Sequence, residues 1–355
     1  MDGRRPQTVP RMLIDLHPES ADMERLVVEG MGKRPRQLPA WLLYDAEGSR
    51  LFEAICAQPE YSLTRKESAL LRERAAEIAR ELEVASVGAW REAVALARAP
   101  RQAPSRDMDL ERQGWVIVEF GAGGARKVEP LLRAIRPLAY VALDISADHL
   151  APACRALEER HPAVPVLGIC CDYSQLDRLP DHPLLRGRRL GFYPGSSLGN
   201  FEPGEARGLL RQFGRLLGPS CRLLVGIDQP KPVRTLEAAY NDRAGQSAAF
   251  ALNLLQRLNR DLNGSFNPAD FRYRAWWEAE RSRIAMALIA RRSHSVQLAG
   301  RDWHFDAGEP LITEYSHKYT PAAFKALAAE GGWRALDRWS DPDDSVSLHL
   351  LAQAD

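Results

Sequence analysis

Cysteine is scarce in this chain: five residues in 355, at positions 56, 154, 170, 171 and 221. An odd number without metal-ligand spacing argues against a disulfide scaffold. It also argues against a thiolate metal site, because adjacent Cys170 and Cys171 do not easily share one tetrahedral ion. Reduced thiols are expected, two of them on a core strand. Net charge is nearly absent too. Lys and Arg total 48 against 47 Asp and Glu, a formal charge of +1. No bulk field therefore exists to gather nucleic acid or an anionic membrane. Long apolar runs are missing: stretches such as Ile284–Ala290 fall far short of the roughly 20 residues a spanning helix needs. The opening MDGRRPQTVPRMLIDLHPES carries no apolar core of a secretory signal. The expectations are a cytoplasmic chain, a monomer, with no membrane and no nucleic-acid partner. His294, His304, His317 and His349 are scattered, and no metal is expected.

What is present is an ordinary globular composition, 45% hydrophobic, which excludes wholesale disorder. The length exceeds what one core usually serves, so two domains are the starting expectation. Residues 1–40 are rich in Pro, Arg and Met and show no period; they read as an irregular leader. Trp41–Phe52 and Ser62–Leu82 read as helices. In the second, Leu70, Leu71, Ala75, Ile78 and Leu82 form an apolar face. Thr64 and Glu67 have capping-box spacing. Residues 85–113, with their mixed charges and prolines, read as a surface loop or insertion.

From Trp115 the pattern becomes strand–helix alternation. WVIVEF, AYVALDIS, VPVLGICCDY, RRLGFYPGSS and CRLLVGID are five successive strands, with helices at Val128–Ile135, 147–159 and Pro203–Leu217. That spacing predicts a doubly wound α/β sheet with ligands at the carboxyl ends of its strands. After Asp228 the alternation stops. Helices fill Pro232–Asn263, extended segments follow from Phe271, and Pro321–Glu330 is a last helix. WRALDRWSDPDDSVSLHLLAQA then reads as a closing antiparallel pair around the DPDD turn.

The turn Glu119-Phe-Gly-Ala-Gly-Gly-Ala-Arg-Lys127 follows a buried strand and opens a helix. Gly121 and Gly123 permit tight turns and close approach of a ligand. The third glycine of a dinucleotide fingerprint is missing, since Arg126 stands at its position. Asp144 ends the second strand, where a carboxylate accepts ribose hydroxyls. Asp172 and Tyr173 end the third, placed to take an adenine amino group and to stack on its ring. Each Asp alone reads equally well as a helix cap; the ordered trio suits S-adenosylmethionine (SAM).

Several blocks then occur in one order: YDAEGSRLFEAICAQPEYSLTRKESALL (44–71), GAGGARK, LDIS, CDY, PGSSLGN (194–200), AAYNDRAGQSAAFALNLLQRLNRDL (238–262) and TEYSHKY (313–319). This series closely resembles the histidine-specific SAM-dependent methyltransferase family of ergothioneine biosynthesis, over nearly the whole chain from Tyr44. Ser197 where Thr is usual, Gly124 after Gly123 and the long 85–113 segment depart from the pattern. The resemblance implies a class I SAM-methyltransferase fold with a C-terminal antiparallel hairpin and a smaller α+β substrate domain. The two would be interleaved: 67–228 with 320–355 for SAM, and 1–66 with 229–319 for substrate. It implies trimethylation of the L-histidine α-amine to hercynine. SAM contacts would fall on Gly121, Gly123, Lys127, Asp144, Asp172 and Tyr173. Histidine contacts would fall on Tyr61, Asn200, Tyr240, Glu314 and Ser316, with Tyr44, Phe52, Gly195 and Met286 as further pocket positions.

These assignments have physical reasons. Asn200 lies just past the fourth strand, where its amide can hold an amino-acid head group. Tyr240 offers a phenol to the carboxylate. Glu314 and Ser316 are two apart, so both leave one face of an extended segment and can bind the two imidazole nitrogens. Tyr44 and Tyr61 are the candidate proton path from the amine, with no dedicated strong base. Phe52, Tyr44 and Tyr61 together would make an aromatic wall for a growing ammonium. Alternatives remain at this level: another amino acid such as tryptophan or tyrosine, a nicotinamide oxidoreductase, or a non-catalytic SAM-binding module.

Overall fold

The computed structural model describes residues 13–16, 20–82 and 114–354. The expected loop at 85–113 lies outside the described residues. Trp115–Phe120 (here β3) is buried on both faces, as its unbroken apolar run requires of a central parallel strand. It pairs in parallel with β4 (Ala139–Asp144) on one side and β6 (Arg188–Tyr193) on the other. Among the described residues the large sheet has eight strands in the order β1-β5-β4-β3-β6-β7-β14-β13. Here β1 is Leu13–Leu16, β5 Val166–Cys171, β7 Arg222–Asp228, β13 Trp333–Ser340 and β14 Val346–Gln353. β14 inserts antiparallel between β7 and β13, and this closing pair gives the class I methyltransferase arrangement. Both faces are covered. Helices α3 (Leu63–Glu81), α4 (Glu129–Ile135) and α5 (Ala147–Arg160) bury one face. Helices α6 (Pro203–Leu217) and α9 (Pro321–Glu330) bury the other.

A second sheet, β2-β12-β9-β8, stands apart from the first. It comprises β2 (Arg36–Gln37), β8 (Phe271–Glu278), β9 (Arg283–Ala290) and β12 (Pro310–His317). Its apolar core includes side chains of α1 (Ser20–Gly32), α2 (Ala46–Cys56) and α8 (Gln246–Leu262). α7 (Val233–Tyr240) and a hairpin of β10 (His294–Leu298) and β11 (Arg301–Phe305) complete the described elements of this part.

Three expectations need correction. Residues 13–16 and 20–37 are not irregular: β1 pairs in parallel with β5 and forms an edge of the large sheet, α1 is the next described element, and β2 pairs with β12. Because β1 joins the large sheet, an N-terminal boundary at residue 66 does not separate the two sheets. Such a short edge strand has no amphipathic period, which is why it escapes pattern reading. Second, 41–52 is not one helix. A 3-10 turn, Ala40–Leu43, ends at Tyr44, and α2 restarts at Asp45. Asp45 caps α2 by accepting from the Gly48 N–H at 2.8 Å, and it also accepts from Asn253 at 2.8 Å and Arg260 at 2.9 Å. One carboxylate thus both starts α2 and fastens it to α8. Third, Glu67 closes no capping box, and the cap residue of α3 is Ser62, with no side-chain cap bond.

Glu67 is instead fully buried where α3 meets the large sheet. Its carboxylate accepts from Lys127 Nζ at 2.8 Å and from the Gly195 N–H at 2.8 and 3.0 Å. Gly226 on β7 makes the space: a Cβ there would lie 1.8 Å from Glu67 Oε1. Gly226→Ala is therefore expected to displace this carboxylate and destabilise the fold by about 1–3 kcal/mol, read as a lowered melting temperature; an unchanged melt would contradict the packing.

Candidate active site

The carboxyl ends of β3, β4, β5 and β6 border one cleft of about 1100 Å³. Gly121, Gly123, Lys127, Asp144, Asp172 and Tyr173 all line it. Gly121 and Gly123 both have positive φ, +71° and +50°, so the turn needs their missing side chains. A Cβ on Gly123 would meet open space, so the strain at these positions is conformational and the room there is left for a ligand. Asp144 is fixed in the turn: Oδ2 accepts from the Gly123 N–H at 2.8 Å and Oδ1 from the Ser146 N–H at 3.0 Å. Burial still pushes its carboxyl above the ordinary range, as expected of a carboxylate awaiting further donors. Two ribose hydroxyls would supply them. Asp172 Oδ1 accepts from the Ser174 N–H and hydroxyl at 2.9 and 2.6 Å, which holds the residue at the rim. The Tyr173 ring packs edge-on against Phe120 at 5.6 Å, rigidly enough to serve as a stacking wall.

A chamber opens off this cleft. Tyr44, Phe52, Tyr61, Gly195, Ser197, Asn200, Thr313 and Glu314 line both. Tyr240, Met286 and Ser316 lie in the chamber alone. Every proposed substrate position is thus brought to one cavity. The aromatic wall is real: ring centroids are 5.6 Å apart for Tyr44–Phe52, 6.4 Å for Phe52–Tyr61 and 5.8 Å for Tyr61–Tyr240. Phe250 of α8 adds a face 5.3 Å from Tyr44. Burial pushes the Tyr44 and Tyr61 phenols well above the usual value. Neither is a resting phenolate, so a proton path through them is a relay that passes one proton on as it takes another.

The polar side of the chamber is built by β12 and the turn after β6. Gly195 (φ +80°) and Ser196 (φ +55°) reverse the chain, and a 3-10 turn, Ser197–Asn200, follows. Gly199 lets this turn press on β12, since a Cβ there would lie 2.5 Å from the His317 carbonyl oxygen. The approach brings Asn200 Nδ2 to donate to Glu314 Oε1 at 2.7 Å. Asn200 thus meets Glu314 directly, whereas the sequence placed it at the head group alone. On β12 the register shifts between Ile312 and Glu314. Thr313 therefore joins Glu314 and Ser316 in lining the chamber, and its hydroxyl donates to the Met286 carbonyl at 3.2 Å. Glu314 is borne on a strand.

Lys318 has a different place. Its Nζ donates to Tyr240 OH at 2.7 Å, to Ser316 Oγ at 2.7 Å and to Asp228 Oδ2 at 2.8 Å. Burial alone would lower its pKa, but Asp228 and Tyr240 hold it above the ordinary lysine value. Lys231 is a second ion-pair partner of Asp228. Burial would raise the Asp228 carboxyl; the two lysines bring it below normal instead. Sequence reasoning missed Asp228 and Lys318, and also Glu67 and Glu119. Glu119 is a buried carboxyl at the foot of the glycine turn, pushed by burial up to about 8 and accepting from Tyr140 OH at 2.7 Å. Lys318 did have a signal, standing two residues past Ser316.

A sheet of this order, a glycine turn, acidic strand ends and an adjoining chamber of phenols and one carboxyl define a SAM-dependent methyltransferase for a small polar substrate. The comparisons make it particular. The model of the family described as "Histidine-specific methyltransferase, SAM-dependent" matches residues 23–353, and the chain belongs to that family. It is 33% identical over 338 residues to histidine N-alpha-methyltransferase of Mycolicibacterium smegmatis, covering 93% of this chain and 95% of that protein. The corresponding protein of Mycobacterium tuberculosis is 31% identical with the same coverage. Ergothioneine biosynthesis protein 1 of Neurospora crassa is 27% identical over 90% of this chain and 33% of that longer protein.

Burial raises Glu314 to about 8, with Lys318 opposing the shift. The folded state therefore binds this proton more tightly than the unfolded chain. Its contribution to stability is greatest at low pH and declines as pH rises from the ordinary carboxyl value to about 8. Glu314→Gln removes that loss. The variant is expected to melt above the parent, by a margin that grows between pH 5 and pH 8, roughly that window. A margin independent of pH would show that Glu314 is not held protonated.

Proposed function

We propose that the chain transfers three methyl groups in succession from SAM to the α-amino nitrogen of L-histidine, giving hercynine, the first step of ergothioneine biosynthesis. The observation that carries this is the chamber: one carboxyl with its amide partner, two hydroxyls and an aromatic wall, opening onto the cleft that fits SAM. In this reading Glu314 and Ser316 take the two ring nitrogens, Tyr240 and Asn200 the carboxylate and amine, and Met286 a side wall. The discontinuous partition follows the same logic, with 67–228 and 320–355 holding SAM and 229–319 with residues 20–66 holding substrate. A cytoplasmic monomer needs no further partner for this reaction.

Bound SAM supplies an electrophilic methyl on a sulfonium. Everything else falls to the chain, which holds the amine in line with the S–CH3 bond and keeps bulk water out. Each transfer forms one N–C bond, breaks one S–C bond and leaves the electron pair on sulfur. The amine must first be neutral. A nearby sulfonium disfavours the ammonium, and its proton leaves by the Tyr44–Tyr61 side. Three transfers convert one ammonium into a trimethylammonium and release three protons. The aromatic faces of Tyr44, Phe52 and Tyr61 stabilise the growing cation by about 0.5–2 kcal/mol each.

Incubation with SAM and single amino acids is expected to give mass gains of one, two and three methyls on histidine; turnover of another amino acid in preference would overturn the substrate assignment. Asn200→Ala and Tyr240→Phe should weaken histidine binding far more than SAM binding, and equal loss of both ligands would sink their assigned roles. Glu314→Ala should admit tryptophan, because an indole no longer strands a buried carboxyl at a cost of about 1–3 kcal/mol; a variant still strict for histidine would refute the imidazole contact.

A further inference from the structure

Lys318 lies behind the chamber rather than in its wall. Its three N–H donors are all engaged, one on Asp228, one on Tyr240 and one on Ser316. An ammonium has three donors and no acceptor, so its orientation is settled. The ion pair is buried on both sides: Lys318 is 2% exposed and Asp228 3%. Asp228 is itself fixed, since its N–H donates to Ser196 Oγ at 3.0 Å and its carbonyl accepts from the Tyr319 N–H at 3.3 Å. Lys231 sits on the other carboxylate oxygen. Two cations against one anion leave this network with an excess positive charge next to Tyr240 and Ser316.

Consider the two hydroxyls. Each already accepts from Lys318. They also lie 2.9 Å apart, so one donates to the other. Two O–H protons are available and one is used between them. The other has no protein acceptor within the triad and turns to the chamber. When a substrate separates the pair, both protons face it. We infer that Lys318 is a positioning residue that makes the Tyr240–Ser316 corner a hydrogen-bond donor, so that it selects an acceptor on the substrate: a carboxylate oxygen or an unprotonated ring nitrogen. This rests on the amino-acid methyltransferase reading above. The corner then complements Glu314, which takes a donor from the opposite side. The pocket would read histidine as one donor and one acceptor, and would reject a ring protonated at both nitrogens.

The test is calorimetric binding of L-histidine and of histamine to the protein saturated with S-adenosylhomocysteine, for the parent and Lys318→Met. Lys231 remains to pair Asp228 in this variant. Should it fail to fold, Lys318→Met combined with Asp228→Asn removes both charges together. Histidine affinity is expected to fall about tenfold or more, with S-adenosylhomocysteine affinity unchanged. Equal weakening of histamine would place the acceptor on the ring; weakening confined to histidine would place it on the carboxylate. In the ring case, the loss of histidine affinity below about pH 6.5 in the parent should also flatten in the variant. Unchanged histidine affinity overturns the inference, as does parallel loss of S-adenosylhomocysteine, which would mark Lys318 as merely structural. A parent protein that binds no histidine overturns the substrate reading, and this inference with it.

Discussion

The buried pair of Asp228 and Lys318 joins the two sheets at the point where the chemistry is assembled. Asp228 is the last residue of β7 in the large sheet, and Lys318 follows β12 of the small one. A pair buried this deeply is not a source of stability in itself, because desolvation offsets much of the attraction; breaking it by removing one partner costs about 3–5 kcal/mol. What it supplies is registry. It fixes how far β12 stands from the carboxyl end of β7. That distance sets whether Asn200 can reach Glu314 and whether Tyr240 and Ser316 meet. Glu67 plays the matching part on the other side of the site, drawing Lys127 and the Gly195 backbone to one carboxylate beneath α3.

Asp228, Asp144 and Glu314, three of the acidic groups around the site, are handled in three ways. Asp228 faces two lysines and stays ionised. Asp144 keeps two backbone donors yet is pushed upward by burial, so added donors from a ribose would relieve it. Glu314 has an amide donor and a more distant cation and is pushed up to about 8. The free protein thus carries an uncomfortable carboxyl in the wall of the chamber proposed to hold the substrate ring. In the proposed reading that is a cost in stability placed at the site of recognition, and it would favour an imidazole N–H there over an apolar ring.

Much of the large sheet was legible in the sequence. The run Trp115–Phe120 and the strand–helix alternation to Asp228 carry the period of a buried parallel sheet, and α6 begins and ends where its pattern does. The site residues on that frame were legible for the same reason, because glycines and acids at strand ends have few other uses. Residues 13–16 and 20–37 were not. β1 and β2 have four and two residues, too few for periodicity, and owe their structure to partners far away in sequence. Glu67 was misread because it stands three residues after Thr64, and spacing cannot reveal that Gly226 leaves room for a carboxylate. Lys318 was quoted within a motif without a role, because its partner Asp228 lies ninety positions earlier on the other sheet. The bulge on β12 that turns Thr313 inward likewise belongs to pairing with β9.

The central proposal is that the chamber reads a neutral imidazole, with one nitrogen donating to Glu314 and the other accepting from the Lys318-supported Ser316 hydroxyl. Ring-15N-labelled L-histidine bound together with S-adenosylhomocysteine tests this directly, because nitrogen chemical shifts distinguish protonated from unprotonated ring positions. The account predicts a single neutral tautomer at pH 7.5, with one protonated and one unprotonated nitrogen. A bound imidazolium, or an even mixture of tautomers, would contradict it.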